Sequence, residues 1–364
     1  MGKYGSVLTL MSKKQTVFVG LSGGVDSSVA ALRLLKQGYR VVGVFIKVWH
    51  PDFLVCNWEQ ERLDAMRVAA KLGIPFLTCD ATTTYRDAVA TYFIENYRAG
   101  RTPNPDVMCN KEVKFGVFMD FALSHGADFV ATGHYAQNKF EDGRFKLCRG
   151  FDTNKDQSYF LWTLNQEQLT QILFPVGDST KDVIRHEAKQ AGMITAGKRD
   201  SQGICFLGHI DIPDFLSHYI DLRPGHVLDK DGNLVGEHRG VFVYTIGQRH
   251  GFTLNSVDTN RIPHYVINKN IEENKLVVST TKPSLLIADT LNLSNVQLSN
   301  SLQVSESVLA QSRYRQTPFP VTIFEVENNN TVKLTVEEQT EAVAIGQSCV
   351  LYRGEVCLGG GTIS

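Results

Sequence analysis

The chain has 364 residues, of which 43% are hydrophobic and 21% are charged, and its formal net charge at pH 7 is −1. This length exceeds what a single hydrophobic core usually organises, so we expect two or three globular domains. The near-neutral charge neither requires nor excludes a polyanionic partner, so any nucleic-acid surface must come from local basic clusters.

No apolar run reaches the roughly 18 residues of a membrane-spanning helix, and residues 1–10 lack the apolar core of a secretory signal. We therefore expect a soluble, cytoplasmic protein with no membrane partner. Residues 1–10 are expected to be either a disordered extension or an artefact of start-site choice.

The N-terminal part of the chain predicts alternating strands and helices. Short apolar or β-branched runs predict strands at Thr16–Gly20, Arg40–Lys47, 75–79 and 128–132. Helical patterns predict helices at 27–37, 59–72 and about 115–125. This alternation is typical of the α/β class, with a parallel, Rossmann-like sheet covered by helices on both faces.

The second half of the chain has a different character. Turns rich in Pro, Gly and His begin near residue 206, and short β-rich runs separated by Asn, Gly or Pro follow Pro263. These features predict a small central domain and a C-terminal β-barrel. We therefore divide the chain into a catalytic domain at 11–205, a central domain at 206–264 and a C-terminal β-barrel domain at 265–364.

A glycine-rich loop at residues 22–28, Ser-Gly-Gly-Val-Asp-Ser-Ser, lies between the first predicted strand and helix. Backbone N–H groups and the helix dipole can converge there on phosphate oxygens. The loop lacks the lysine of a Walker A motif and the third glycine of a dinucleotide fingerprint. It resembles the loop of the ATP pyrophosphatases, which cleave ATP to AMP and pyrophosphate. That resemblance implies ATP as cofactor, with Asp26 holding Mg²⁺ or orienting the phosphates, whereas a plain capped glycine turn is the simpler alternative.

The seven cysteines form no CxxC pair, which argues against both a zinc site and a disulfide-stapled secreted fold. Cys109 lies three residues after Asp106, with Arg101, Lys111 and Lys114 nearby in sequence. Cationic neighbours lower the pKa of a thiol, and Asp106 is a candidate general acid or base. We also expect a helix starting near Lys111 to direct its positive end at Cys109, which should be accessible to solvent.

A second candidate thiol, Cys205, follows Lys198 and Arg199 and lies beside a glycine. Burial as an inert side chain is the ordinary state of an arbitrary cysteine. We expect that state for the remaining five, which are Cys56, Cys79, Cys148, Cys349 and Cys357.

Several further segments carry a more specific resemblance. They are, after the phosphate loop, Gly-Arg-Thr-Pro-Asn-Pro-Asp (100–106) running into Cys-Asn-Lys (109–111), Ala-Thr-Gly-His-Tyr (131–135), Asn-Lys-Asp-Gln-Ser-Tyr-Phe (154–160), Gly-Ile-Cys-Phe (203–206), Thr-Ile-Gly-Gln-Arg (245–249), Arg-Tyr-Arg-Gln (313–316) and Gly-Glu-Val-Cys-Leu-Gly-Gly-Gly (354–361). In this order, and covering nearly the whole chain, they resemble the bacterial tRNA-specific 2-thiouridylase family.

The resemblance implies a role for individual residues. Cys109 would be the catalytic nucleophile, and Cys205 would carry a persulfide and could form a disulfide with Cys109. The residues implied to bind ATP are Gly20, Leu21, Ser22, Gly23, Gly24, Val25, Asp26, Ser27, Ile46 and Gly133. Those implied to approach the target base are Asn104, Pro105 and Asp106, and those implied to contact tRNA elsewhere are Lys155, Asp156, Gln157, Arg313 and Tyr314.

The implied reaction is adenylation of the C2 oxygen of the anticodon wobble uridine, followed by displacement of AMP by persulfide sulfur. An internal base must leave its stack to react, which makes a tRNA anticodon loop an accessible substrate. Basic and aromatic residues interleave at 155–159, 239–249 and 313–315, as an RNA surface requires. A sulfur-carrier protein or a cysteine desulfurase would reload the cysteine.

Two other functions remain open at this stage. The first is an ATP pyrophosphatase that forms an amide bond or otherwise acts on a small molecule, which would need neither a cysteine pair nor an RNA-binding domain. The second is a non-catalytic RNA-binding protein that senses ATP.

Overall fold

The computed structural model describes residues 14–54, 58–199, 211–255, 262–299, 302–327 and 330–364. Its strands are β1 (Thr16–Gly20), β2 (Arg40–Lys47), β3 (Phe76–Asp80), β4 (Phe129–Ala131), β5 (Ala136–Glu141), β6 (Arg144–Arg149), β7 (Ile172–Leu173), β8 (Gly225–Leu228), β9 (Leu234–His238), β10 (Phe252–Leu254), β11 (Tyr265–Asn270), β12 (Lys275–Ser279), β13 (Ser284–Leu285), β14 (Thr290–Leu298), β15 (Ser307–Gln311), β16 (Phe319–Glu327), β17 (Thr331–Val336), β18 (Thr340–Glu341), β19 (Ser348–Arg353) and β20 (Val356–Ile363).

The helices of the described residues lie mainly in the N-terminal half. They are α1 (Val25–Lys36), α2 (Trp58–Leu72), α3 (Thr82–Thr84), α4 (Thr91–Arg98), α5 (Pro105–Met108), α6 (Phe118–Ser124), α7 (Gln166–Leu169), α8 (Lys181–Gln190) and α9 (Ile212–Ser217), with π-helical segments at Tyr85–Ala90 and Cys109–Val117 and 3-10 turns at Ser158–Phe160 and Val241–Val243.

The N-terminal sheet confirms the predicted parallel α/β architecture. Its strand order is β3-β2-β1-β4-β7, and each neighbouring pair is parallel. Strand β2 shows why the sheet is covered on both faces. Val44 and Ile46 enter the core on one side, whereas Val41 and Phe45 enter the core on the other. A strand buried on both faces reads as a continuous apolar run, and this is how β2 reads in the sequence.

The central region forms a sheet of its own, with strand order β10-β9-β8-β12-β11. Strands β11 and β12 were expected to open the C-terminal domain, which was placed from residue 265. They instead belong to the central sheet, because β12 pairs in parallel with β8 and β11 pairs with β12. The β-rich pattern of these strands predicted strand structure but contained no information about the pairing partner.

The C-terminal region is a closed antiparallel barrel of six strands, as predicted. The ring runs β14-β17-β16-β15-β19-β20 and closes where β20 pairs with β14. Alternation along β17 fills the interior, since Val332, Leu334 and Val336 are buried and the residues between them are half-buried. Period-two alternation of this kind is what a strand with one core face requires.

The N-terminal domain is tied to the barrel through the hairpin β5–β6. Cys148 of β6 pairs with Val356 of β20 and so adds the hairpin to the edge of the barrel. Beside this junction the Arg149 guanidinium lies 3.6 Å from the centre of the Tyr352 ring. The C-terminal barrel therefore has a defined position relative to the N-terminal parallel sheet.

Candidate active site and RNA-facing residues

The predicted phosphate loop lies at the point where the order of the parallel strands reverses. Strand β1 has β2 on one side and β4 on the other, and open α/β sheets bind ligands at the carboxyl ends of such strands. A Cβ added to Gly133, just after β4, would lie 2.7 Å from the backbone nitrogen of Ser27. A Cβ added to Gly20 would lie 3.7 Å from the side chain of Ile46. The structure therefore brings Gly20, Ile46 and Gly133 together around the N-terminus of α1.

The loop itself requires glycine at position 23. Gly23 has a φ of +69°, and a Cβ there would lie 2.8 Å from the carbonyl oxygen of Glu61. Gly24 caps α1 without a side-chain hydrogen bond, and the Ser28 hydroxyl donates to its carbonyl at 2.7 Å. The first turn of this 12-residue helix thus has no side-chain cap, which suits it to an anionic ligand.

Asp26, in the first turn of α1, contacts two residues that the sequence motifs did not identify as site residues. Lys181, the first residue of α8, places its Nζ 2.7 Å from each carboxylate oxygen of Asp26. The Tyr135 hydroxyl donates to Oδ1 at 2.8 Å. Lys181 is 155 positions away in sequence, and no local motif surrounds it. Only the packing of α8 against α1 brings the two charges together.

A second lysine contacts the back of the loop. The Lys198 ammonium donates to the Gly23 carbonyl at 3.1 Å and to Asp64 at 3.0 Å. Burial raises the pKa of the neighbouring Glu61 above its ordinary value. Lys198 therefore supports the loop backbone, a role that the sequence pattern did not indicate.

The segment carrying Asp106 and Cys109 is helical from an earlier point than expected. Helix α5 begins at Pro105, which is favourable at a first helical position, and the π-helical segment Cys109–Val117 continues directly from it. The prediction of a helix starting near Lys111, with its positive end at Cys109, is therefore wrong. Cys109 lies inside the helical run and its exposed fraction is 0%, whereas an accessible thiol was expected.

Each of the three cations near Cys109 in sequence contacts a further residue. Lys111 forms an ion pair with Glu112 at 3.0 Å, and the Nε of Arg101 donates to Asn96 at 2.8 Å. The Lys114 ammonium lies 3.4 Å from Nε2 of His134, the residue after Gly133. Burial, and to a smaller extent Lys114, hold the pKa of His134 well below its ordinary value. Through Lys114, the helical segment that contains Cys109 thus contacts the loop that follows β4.

Four of the five cysteines expected to be inert are buried, as predicted. Burial raises the pKa of Cys79 to about 11 and the pKa values of Cys349 and Cys357 to about 12. The pKa of Cys148 is raised by the same cause. Cys56 and the proposed persulfide carrier Cys205 lie outside the described residues.

The side chain of Asp156, implied to contact tRNA, faces inward. It is 8% exposed and accepts hydrogen bonds from Arg149 and from the backbone N–H groups of Gly150 and Ser158. Gln157 is also engaged, since its Oε1 accepts from the backbone N–H of Tyr135. A carboxylate satisfied in this way shapes the loop, and an RNA contact at 156 would have to use backbone atoms.

Arg313 likewise serves the junction between domains. Its guanidinium donates to the carbonyl of Ile246 in the central region at 2.8 Å and to that of Ala342 at 3.2 Å. Tyr314 packs its ring 4.7 Å from that of Phe160, and its neighbour Arg315 is exposed. Arg315 is therefore better placed than Arg313 to meet a phosphate.

Asn104, at the start of α5, is connected to the barrel through Tyr159. Its Nδ2 donates to the Tyr159 hydroxyl at 3.2 Å, and that hydroxyl lies 3.1 Å from the carbonyl oxygen of Ser312 and 3.0 Å from that of Ser348. Lys155 is half-buried in the same loop as Asp156.

Among the described helices, none has the length and apolarity needed to cross a membrane.

Comparison with known proteins agrees with this architecture along the whole chain. Family models described as the tRNA methyl transferase HUP domain, the tRNA methyl transferase PRC-barrel domain and the aminomethyltransferase beta-barrel domain match residues 15–209, 213–280 and 286–363. A tRNA-specific 2-thiouridylase MnmA of Alkaliphilus oremlandii is 45% identical over 356 residues, covering 96% of this chain and 97% of the relative. One of Bacillus anthracis is 46% identical over 352 residues, covering 95% and 94%. The chain belongs to the tRNA-specific 2-thiouridylase family.

Proposed function

We propose that the chain is an ATP-dependent tRNA-uridine 2-sulfurtransferase that makes 2-thiouridine at the anticodon wobble position. The observation that carries the proposal is the meeting of two elements at one edge of the sheet. The helix containing Asp106 and Cys109 reaches His134 through Lys114 at 3.4 Å, and the preceding residue, Gly133, abuts the phosphate loop. This arrangement supports a site in which a thiol and a carboxyl group act on a nucleotide bound at the loop.

The first step would be adenylation of the uridine. The C2 oxygen attacks the α-phosphorus of ATP, a P–O bond to the β-phosphate breaks, and pyrophosphate leaves. The N–H groups at the start of α1 would bind phosphate oxygens. Asp106, at the start of α5, would position the base or move its N3 proton.

Magnesium would arrive with the triphosphate. Mg²⁺ is usually bound by one or two carboxylates together with substrate phosphates rather than by an all-protein cage. The described residues contain no group of three His, Cys, Asp or Glu side chains that could hold a metal ion by themselves. Asp26 is a carboxylate at the loop and fits that partial role, provided that it exchanges its contact with Lys181 for the ion.

The second step would transfer sulfur. The terminal sulfur of a Cys205 persulfide attacks C2, and AMP leaves with the former C2 oxygen. Attack of the Cys109 thiolate on the Cys205 sulfur then breaks the S–S bond, puts the electron pair on the nucleobase sulfur and leaves a disulfide between the two cysteines. A dithiol reductant would regenerate the thiols, and a sulfur-carrier protein or cysteine desulfurase would supply the next persulfide.

The test is a thiolation assay with variants in which one cysteine at a time is replaced. Cys109→Ala and Cys205→Ala should yield no 2-thiouridine by mass analysis of digested tRNA, while Cys79→Ala, a matched buried cysteine, should thiolate normally. Radiolabelled ATP should still give AMP with Cys205→Ala when tRNA is present. Wild-type thiolation by Cys205→Ala would refute the persulfide assignment.

The same assay separates the two alternatives. A small-molecule ligase would form AMP with its own substrate but not in response to tRNA. An ATP-sensing RNA-binding protein would bind tRNA without releasing pyrophosphate.

A further inference from the structure

A cavity of about 520 Å³ lies between the N-terminal domain and the barrel. Its N-terminal wall is formed by Tyr92 and Asn96 of α4 and by Arg101, and its barrel wall includes Asn295 and Thr362. This volume lies in the range of small-molecule pockets and can hold one nucleotide.

The cavity adjoins the segment that we assign to the target base. The backbone N–H of Asn104 lies beside the Tyr92 hydroxyl, where it partly offsets the rise in the pKa of Tyr92 caused by burial. The backbone N–H of Thr102 donates to the carbonyl of Ile345, which also lines the cavity, at 2.8 Å. A nucleotide next to the target uridine in the chain would therefore have this cavity within reach.

The wall from the N-terminal domain offers an aromatic ring and a fixed cation. The Nε of Arg101 donates to Oδ1 of Asn96 at 2.8 Å, and Nδ2 of Asn96 donates to the Tyr92 carbonyl at 2.8 Å. These bonds hold the exposed guanidinium beside the tyrosine. Within the described chain no partner is found for the terminal nitrogens of Arg101, which leaves them available to a phosphate.

The wall from the barrel offers hydrogen-bonding groups for a base edge. Asn295 has a positive φ of 50°, at a break in the register between β14 and β20. Its side-chain amide is exposed and makes no hydrogen bond to the part of the chain that the structure describes. An aromatic ring, the terminal nitrogens of a guanidinium and an amide are groups with which proteins bind an unstacked nucleotide.

We propose that this cavity binds a second anticodon-loop nucleotide, adjacent to the target uridine, by stacking on Tyr92, with its phosphate at Arg101 and its base edge at Asn295. The inference rests on the proposed function, since it requires tRNA as substrate. The site would select the loop sequence around the target and hold the loop open. A free mononucleotide has the same chemistry, so the test must distinguish the two sources.

The experiment uses the full chain and anticodon stem–loop RNAs with one abasic position at a time. Binding is measured by fluorescence anisotropy at one fixed salt concentration. In the wild type, an abasic site at one neighbour of the target uridine should weaken binding about tenfold, the order of one lost base–aromatic stack. Tyr92→Leu should bind intact RNA about tenfold more weakly and should lose no further affinity at that abasic position.

Two further variants keep the test independent of a folding defect. Asn295→Gly retains the positive φ and should abolish discrimination among the four bases at the same position. Tyr39→Leu changes a half-buried tyrosine at the opposite, amino-terminal edge of the sheet and should behave as the wild type. Thermal midpoints are compared first, and only variants that fold are scored.

The proposal is overturned if, at every loop position, an abasic site reduces the affinity for RNA by the same factor in wild type, Tyr92→Leu and Asn295→Gly. It is also overturned if AMP alone binds at this cavity while no loop position shows a Tyr92-dependent penalty. If the wild type thiolates tRNA but the abasic sites weaken binding equally in the wild type and the variants, nucleotide binding at the cavity is refuted and the proposed function stands. Absence of thiolation under all conditions would refute the proposed function itself.

Discussion

Replacing Asp26 with Asn removes one charge at the phosphate loop and keeps the shape of the side chain. In the wild type the Asp26 carboxylate accepts from Lys181 at 2.7 Å through each oxygen, and the two side chains are 30% and 11% exposed. A hydrogen bond between charged groups contributes about 1.5–3 kcal/mol. Because Lys181 is largely buried, the variant removes one negative charge from beside an ammonium group in a poorly solvated position. We expect Asp26→Asn to lower the free energy of unfolding by about 2 kcal/mol.

A double-mutant cycle isolates the pair from other effects. Lys181→Met keeps most of the aliphatic side chain and removes the charge, so the double variant contains neither charge. The losses of unfolding free energy in the two single variants should add up to about 1–2 kcal/mol more than the loss in the double variant, which is the coupling expected of residues in contact. For a domain of this size that corresponds to about 2–8 °C in the midpoint of thermal unfolding, measured by scanning calorimetry.

The cycle also separates stability from catalysis. The double variant should recover much of the midpoint lost in Asp26→Asn, yet neither variant should form AMP from ATP when tRNA is added, since both lack the carboxylate. Additive losses of midpoint in the two single variants would show that the pair is not coupled. Normal AMP formation by Asp26→Asn would remove this carboxylate from the mechanism.

Three further results are expected. Gly133→Ala would place its Cβ 2.7 Å from a backbone nitrogen of α1 and should weaken ATP binding about tenfold or more in a calorimetric titration. The control variant Gly197→Ala, which has open space around its Cβ, should bind ATP as the wild type does. Equal ATP affinities of the two variants would contradict the predicted crowding at Gly133. Arg315→Ala should reduce the slope of log Kd for tRNA against log salt concentration by about one. Arg313→Ala should leave that slope unchanged and should lower the midpoint of thermal unfolding. The reverse pattern would show that Arg313 is the phosphate ligand. Burial raises the pKa of Cys79 to about 11, so only about 0.1% of this thiol should be ionised at pH 8. The rate of its alkylation in the folded protein should therefore increase as the pH rises toward 11. Rapid labelling at pH 8 would contradict the burial.

Sequence patterns were sufficient for features that depend on neighbouring residues. The strand–loop–helix arrangement at residues 16–36 was predicted because a short strand, two glycines, hydroxyl side chains and a helix occur in succession, and each has a local conformational preference. The parallel sheet followed from the alternation of elements, since parallel strands need a crossover connection. The burial of Cys79 and Cys349 was predicted from the apolar runs around them.

The direction of charged side chains could not be predicted in this way. Asp156 and Arg313 belong to segments that resemble an RNA surface, yet the first is buried against backbone N–H groups and the second bonds two carbonyls at a domain junction. Whether a polar side chain faces RNA or an internal partner depends on which distant backbone lies beside it. The sequence of one segment contains no information about that partner.

By itself, the sequence determined the family, the chemical groups available for the reaction and the alternation of strands and helices in the N-terminal sheet, because local conformational preference and motif spacing are properties of contiguous residues. Only the tertiary structure decided the pairing of Asp26 with Lys181, the membership of β11 and β12 in the central sheet, and the cavity beside Tyr92. Each of these depends on the path of the folded chain, which brings together residues that are far apart in sequence.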